Sequence, residues 1–297
     1  MKRIILFLIT NMAVLFLMMV VFHVACAFMG IDPSGAMGGD LQALAVFSLI
    51  FGMAGGIISL LLSKTIAKWS VGAQVIDGTE GEAERWLVDT VRSLAERANV
   101  KMPEVAIYKG QANAFATGAF RNHALVAVST DIMAQMTREE LRAVLGHEMS
   151  HVANGDMVTM TLLQGVLNAC VIFLSRLVAF FAANAMSDGK GNRRGASSGI
   201  YYLVYYVLQI VPGLAASLVV YWYSRRREYA ADAGSANLLG TPSSMIAALR
   251  RLGNLQPGIL PDSIKAMGIA GKHASLFATH PSLEDRIEAL ERLQRGI

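Results

Sequence analysis

Cysteine and charge are both scarce in this chain, and each scarcity narrows what it can be. Two cysteines among 297 residues, Cys26 and Cys170, both fall inside apolar stretches. Neither a disulfide framework nor a cysteine-ligated metal site is therefore expected. Charged residues make up 16% of the sequence and hydrophobic ones 54%, whereas about a quarter of an ordinary soluble domain is charged. The composition is too apolar for a protein surrounded by water on all sides. No basic stripe interleaved with aromatics is present, which argues against nucleic acid as a partner. There is no internal repeat and no low-complexity tract.

The apolar residues are clustered. Ile4 to Ile31 and Leu41 to Ser63 carry no Asp, Glu, Lys or Arg, and each exceeds the roughly 18 to 20 residues that cross a hydrocarbon core. Two membrane helices are expected there. Lys2 and Arg3 precede the first run and Ala25-Cys26-Ala27 resembles a cleavage site, but the run is too long for a signal peptide and reads as a retained anchor. Met157 to Ser175 and Gly195 to Ser224 are also uncharged. They are expected to be two further spans or an apolar hairpin, with Arg176 interrupting the first and Pro212-Gly213 bending the second. Lys2, Arg3, Lys64, Lys68 and the Arg225-Arg226-Arg227 cluster all fall on one side of this topology. That side is expected to be cytoplasmic. Lys190, Arg193 and Arg194 dissent. The net charge of +4 reflects these flanks.

Histidine is rare too, with six in the chain, yet His147 and His151 stand four apart, with Glu148 directly after the first. On a helix, side chains at i and i+4 share one face, so both imidazoles can reach one metal ion. The glutamate then lies beside the metal's open position, where it can take a proton from water. This H-E-x-x-H spacing is what zinc-dependent hydrolysis requires. Its setting reads as a helix: Thr137 and Glu140 form a capping box, Leu141, Val144, Leu145 and Val152 supply an apolar stripe, and Asn154-Gly155 stops it. Gly146 within that run costs about 1 kcal/mol relative to alanine, which close packing beside a metal ligand can explain.

Two histidines leave such a site one protein ligand short. Glu228 and Asp232, at i and i+4, fit a third ligand and a carboxylate that orients a ligand histidine. Spacing alone leaves the two interchangeable. His280, in Thr279-His280-Pro281, is a candidate to polarise a scissile carbonyl or steady an oxyanion. Elsewhere in the polar parts, Glu82 to Ala98 reads as an amphipathic helix. Val105–Lys109, Asn113–Phe120 and Ala124–Ser129 read as strands, the last two joined by a turn at Arg121-Asn122-His123. Asn113-Ala114-Phe115 on an edge strand would bind an extended peptide by strand addition. Arg225 to Ile297 reads as helical throughout.

Asn113-Ala-Phe-Ala-Thr-Gly118, His147-Glu-x-x-His151 followed by Ala-Asn-Gly-Asp156, Glu228-x-x-Ala-Asp232, and Thr279-His-Pro281 with Arg286 together resemble the HtpX family. These are bacterial heat-shock membrane metalloproteases related to the CAAX prenyl protease. The likeness runs nearly end to end. It implies one zinc ion per chain held by His147, His151 and Glu228, with Glu148 as general base and the active site facing the cytoplasm at the inner membrane. It also implies proteolytic quality control of damaged membrane proteins, with possible self-cleavage. Asp131, where glycine is expected, and Ser282, in place of a second proline, depart from the pattern.

The expected fold is α+β: a multi-span helical membrane protein carrying a zincin-type protease domain with a small antiparallel-edged sheet. Its expected organisation is two membrane helices in 1–64, a first protease segment in 65–156, two apolar helices in 157–224 and a helical second protease segment in 225–297. Both termini are expected in the cytoplasm. Partners are protein substrates and the lipid bilayer. Two rivals are a membrane scaffold with an inactive site and a small transporter using Arg176. The intact general base opposes the first, and the large polar portion opposes the second.

Overall fold

The computed structural model describes residues 16, 19–32, 34, 40–185, 196–255 and 280–296. Its described elements, in chain order, are α1 (Met19–Met29), α2 (Leu41–Val71), β1 (Gln74–Ile76), α3 (Glu82–Arg97), β2 (Glu104–Tyr108), β3 (Ala114–Thr117), β4 (Leu125–Ser129), α4 (Thr130–Gln135), α5 (Arg138–Asn154), α6 (Asp156–Ala185), α7 (Ala196–Leu239), α8 (Ser243–Asn254) and α9 (Leu283–Arg295). The chain divides into two compact units, one of residues 1–58 with 161–218 and one of residues 59–160 with 219–297.

The first unit is apolar. Three helices, Leu41–Val71, Asp156–Ala182 and Tyr201–Leu239, are long and apolar enough to cross a membrane. Half of the expected first span lies outside the described residues. Small residues set how closely the helices of this unit approach. A Cβ on Gly52 would fall 2.5 Å from the Ala169 Cα, and one on Gly165 would fall 3.2 Å from the Met53 Cα. Close backbone approach through small residues is how helices associate where lipid removes the hydrophobic drive. Arg176 sits over the Phe47 ring at 4.1 Å and the Tyr205 ring at 5.3 Å, so aromatic faces receive its charge. Pro212 is accommodated inside α7, which runs without interruption.

The second unit is built on a four-stranded sheet ordered β1-β2-β4-β3. β1 pairs antiparallel with β2, β2 parallel with β4, and β4 antiparallel with β3. The three-residue β1 and the short helix α4 have too little periodicity to show in the sequence, and the parallel pair in the middle makes the sheet mixed. Strand side chains alternate between faces, and the sequence supplies apolar residues on both. Val126 and Val128 join Leu87, Leu94, Leu145, Met149 and Leu249 in the larger core, under α3, α5 and α8. Leu125 and Ala127 join Tyr108, Phe115 and the α2 residue Ala67 on the other face.

Helix α5 begins and ends as its sequence dictates. Thr137 and Glu140 cap each other's backbone amides, and Gly155 closes the helix in the left-handed region at φ 68°. Gly146 has a packing reason: a Cβ there would meet the Ser235 Oγ of α7 at 2.7 Å, and one on Gly234 would meet the Ser150 Oγ at 2.5 Å. The two helices therefore cross glycine against serine in both directions. Ser235 Oγ donates to the Ala143 carbonyl at 2.7 Å across the crossing. This contact brings the carboxylates of α7 to the histidines of α5. The two departures from the family pattern are harmless here: Ser282 caps α9, accepting from the Asp285 amide, and Asp131 lies in the first turn of α4.

Candidate metal centre

His147 and His151 share one face of α5, and Glu228 reaches them from α7. The Nε2 atoms of the two histidines lie 3.1 Å apart. One Glu228 oxygen is 3.3 Å from His151 Nε2 and the other 3.5 Å from His147 Nε2. The three side chains offer ligand atoms that all lie within 4.8 Å of one another. Donors 2.0–2.1 Å from a tetrahedral zinc stand about 3.3 Å from each other, so the spacing fits a zinc-sized ion.

The partners of the outer nitrogens set which side of each ring is left open toward the cluster. His147 Nδ1 lies 2.9 Å from Asp232 Oδ1, and His151 Nδ1 lies 2.6 Å from Asp156 Oδ2. Each carboxylate accepts the Nδ1 proton, which leaves both Nε2 lone pairs converging on one point. A proton shared between those two nitrogens would make a far poorer use of the same geometry than a cation. The field agrees with this. Burial disfavours charge on either imidazole, yet Asp232 and Glu228 raise His147, while Asp156 and Glu228 push His151 up to about 9. A pocket that attracts a proton so strongly also attracts a metal cation.

Arg286, from α9, is the fully buried cation behind the site. Its Nε and Nη2 donate to both Asp232 oxygens at 2.8 and 2.7 Å, and its Nη1 is 3.4 Å from Glu228 Oε2. His280 Nδ1 is 3.0 Å from that same Glu228 oxygen. Its Nε2 is buried and makes no hydrogen bond among the described residues. Glu148 is buried beside the histidines. Burial raises its carboxyl above the usual glutamate value, against the opposing pull of both histidines.

The segment expected to bind peptide, Asn113-Ala114-Phe115, lies at the start of β3. β3 is an edge strand, but Phe115 turns its ring into the core beneath the sheet and pairs with Ala127 of β4, so neither its side chain nor its backbone is offered to a peptide. Asn113 exchanges backbone bonds toward β4: its carbonyl accepts from Ser129 N and its amide donates to Ser129 Oγ, both at 2.9 Å. Strand alternation then turns the backbone groups of Ala114 and Ala116 away from β4, while their side chains are buried in the larger core. The Ala114 amide donates to the Asn113 Oδ1.

Asp156 and Arg286 were visible in the sequence only as parts of a family pattern. Asp156 follows the helix stop, where a turn rather than helical spacing returns it to His151, and Arg286 is 54 residues from Asp232. Glu228 and Asp232 are placed differently, the first against both Nε2 atoms and the second against Nδ1 of His147.

Residues 82–294 match peptidase family M48. The chain is 53% identical over 297 residues to a protease HtpX homolog of Janthinobacterium sp. (strain Marseille), covering 99% of this chain and 100% of that one. It is 53% identical over 301 residues to a protease HtpX homolog of Bordetella pertussis (strain Tohama I), with both chains covered completely. The crystal structure of S. mikatae Ste24p superposes with a TM-score of 0.60 at 18% identity, over 92% of this chain and 67% of that one. That likeness is one of fold.

Proposed function

The chain belongs to peptidase family M48, a membrane metalloprotease by family and by its apolar helices, and from that premise we propose that it is a zinc endopeptidase acting on misfolded or damaged membrane proteins. The observation that carries this reading is the convergence of His147 Nε2, His151 Nε2 and the Glu228 carboxylate around one point, with Glu148 buried alongside. His147, His151 and Glu228 hold the ion. Asp232 and Asp156 fix the tautomers of the two histidines, and Arg286 and His280 hold the Glu228 oxygen Oε2. Bound there, zinc supplies Lewis-acid polarisation and a lowered pKa for water.

Glu148 takes the proton of the attacking water and returns it to the leaving amine. Its raised pKa suits it to both directions of transfer. His280 Nε2, which makes no hydrogen bond among the described residues, donates to the oxygen on which charge develops. The carbonyls of Ala114 and Ala116 align the substrate as an added strand, their amides being taken by Asn113 Oδ1 and by Glu148. Asn113 holds the edge by its bonds to Ser129, and Phe115 anchors it from below.

The positive-inside pattern supports an inner-membrane protein with its protease segments (65–156 and 225–297) and both termini in the cytoplasm. Self-cleavage belongs to the same reading, since an enzyme that accepts unfolded membrane proteins also meets unfolded copies of itself. The test is purified wild type against Glu148→Gln in detergent, with bound zinc and cleavage of an unfolded protein both measured. Glu148→Gln is expected to keep zinc and lose turnover by orders of magnitude. Near-normal cleavage by that variant overturns the mechanism.

A further inference from the structure

The end of the sheet at which β2 and β4 begin and β3 finishes lies beside two points where the chain meets the bilayer. Lys64 is the first charged residue after the uncharged run Leu41 to Ser63, and it holds Glu104, the first residue of β2, at 2.7 Å. Lys68 holds the same carboxylate at 3.1 Å. At the β3 edge, Phe120 and Arg121 of the β3–β4 turn line a cleft shared with Met157 and Val158. Those two residues lie in the first turn of the membrane-length helix α6.

The surface at this end is both apolar and basic. Phe120 is 63% exposed and Met102 39%, and Lys101, Arg121 and His123 are exposed in the same two loops. The loops are tied together: Lys101 N donates to Asn122 Oδ1 at 3.2 Å, and Glu104 N to the Ala124 carbonyl at 3.0 Å. Neither Lys101 nor Arg121 has an ion-pair partner among the described residues. Glu104 is neutralised by its two lysines, and Asp77 and Glu80 follow β1, at the opposite edge of the sheet. Large apolar side chains exposed beside basic ones suit the bilayer interface, where the first enter the acyl boundary and the second meet anionic headgroups.

We infer that the 118–123 turn and the 100–103 loop form a membrane-surface contact, in which Phe120 and Met102 enter the bilayer boundary and Lys101 and Arg121 bind anionic lipid headgroups. The contact goes beyond the peptidase reading and requires only that α2 and α6 cross the membrane. Because β3 runs directly into this turn, the contact holds the strand proposed to align substrate at the bilayer surface.

The test uses the full-length protein in nanodiscs of phosphatidylcholine, with or without phosphatidylglycerol, in which some acyl chains are brominated. Cys26 and Cys170 are replaced by alanine, and an environment-sensitive fluorophore is attached at Phe120→Cys or, as a control, at Gln111→Cys. Gln111 is exposed in the turn before β3, at the other end of that strand. The probe at 120 is expected to shift to the blue and be quenched by the brominated chains, and the probe at 111 to stay unquenched. With phosphatidylglycerol present, each of Lys101→Gln and Arg121→Gln is expected to lower the docked-to-undocked ratio about 5-fold, the electrostatic contribution of one basic residue near an anionic leaflet. Should the cysteine-free chain fail to fold, Phe120→Trp in the intact chain reads the same contact through added quenching of tryptophan fluorescence.

A probe at 120 that stays unquenched, or is quenched no more than the one at 111, overturns the contact. Quenching indifferent to lipid charge and to both neutralising variants overturns the role of the two cations. A blue shift that needs added unfolded protein, or that rises with protein concentration in detergent, gives the surface to a substrate or to a second copy and overturns the proposal. No readout depends on peptide hydrolysis, so failure of the catalytic reading and failure of the contact are told apart.

Discussion

Arg286 grips Asp232 through two parallel hydrogen bonds, Nε to Oδ2 and Nη2 to Oδ1, and both side chains are almost completely buried. The pair links α9 to α7 directly behind the metal centre. Asp232 in turn holds His147 Nδ1, so a residue near the C-terminus of the chain sets the orientation of a metal ligand on α5. The neighbouring Glu228 draws on the same guanidinium, at 3.4 Å. One cation therefore compensates two buried carboxylates of different roles.

Removing that cation is expected to be costly. Arg286→Met leaves Asp232 and Glu228 buried with reduced compensation, and breaking a buried pair on one side costs about 3–5 kcal/mol. Arg286→Lys keeps the charge but loses the planar fork, and is expected to fall between. Thermal unfolding and zinc content of the purified variants check this. Wild-type stability in Arg286→Met would mean that the pair is dispensable.

Glu228 and Asp232 are expected to fail differently. Glu228→Ala removes a ligand and is expected to purify essentially free of zinc and inactive. Asp232→Ala removes a partner of a ligand, a change that typically costs 10- to 100-fold in affinity or activity. It is expected to bind zinc when the metal is in excess and to keep some turnover. Metal titration of both proteins decides it, and the reverse pattern would exchange their roles.

The glycine–serine crossing makes a prediction about stability. Gly146→Ala places a Cβ 2.7 Å from Ser235 Oγ, and overpacking of this kind costs about 1–3 kcal/mol. Ser235→Gly removes the obstacle, so the double variant is expected to recover much of the loss despite giving up the bond to the Ala143 carbonyl. Additive losses in a double-mutant cycle would show that the helix spacing does not depend on this contact.

Orientation is open to a direct test. A reporter active only in the cytoplasm is expected to work when fused after Ile297 and to fail when inserted near Gly35. The opposite result would reverse the topology inferred from the basic flanks.

Acid is expected to inactivate the enzyme from above the ordinary glutamate range. Burial raises Glu148, and a general base works only when deprotonated, so kcat/KM falls as pH drops through that raised value. A pH–rate profile at saturating zinc measures the acid limb; a limb at the value of an exposed glutamate would detach it from Glu148.

Local order was legible in the sequence because local rules govern it. The capping box at Thr137, the stop at Gly155, the His147/His151 spacing and the β3–β4 turn each depend on residues within a few positions of one another, and each forms where expected. The apolar runs were equally plain, since membrane length is a matter of counting. Other features depend on contacts between distant segments. Spacing left Glu228 and Asp232 equivalent, and only the crossing of α5 and α7 sets one against the Nε2 atoms and the other against Nδ1. The grip of Arg286 on Asp232, the return of Asp156 to His151 and the inward turn of Phe115 likewise required the fold. The sequence by itself determined the chemistry available, because ligand and base types are fixed by residue identity. The tertiary structure decided which atom of each does what, because that depends on distances of a few ångströms between residues up to 139 positions apart.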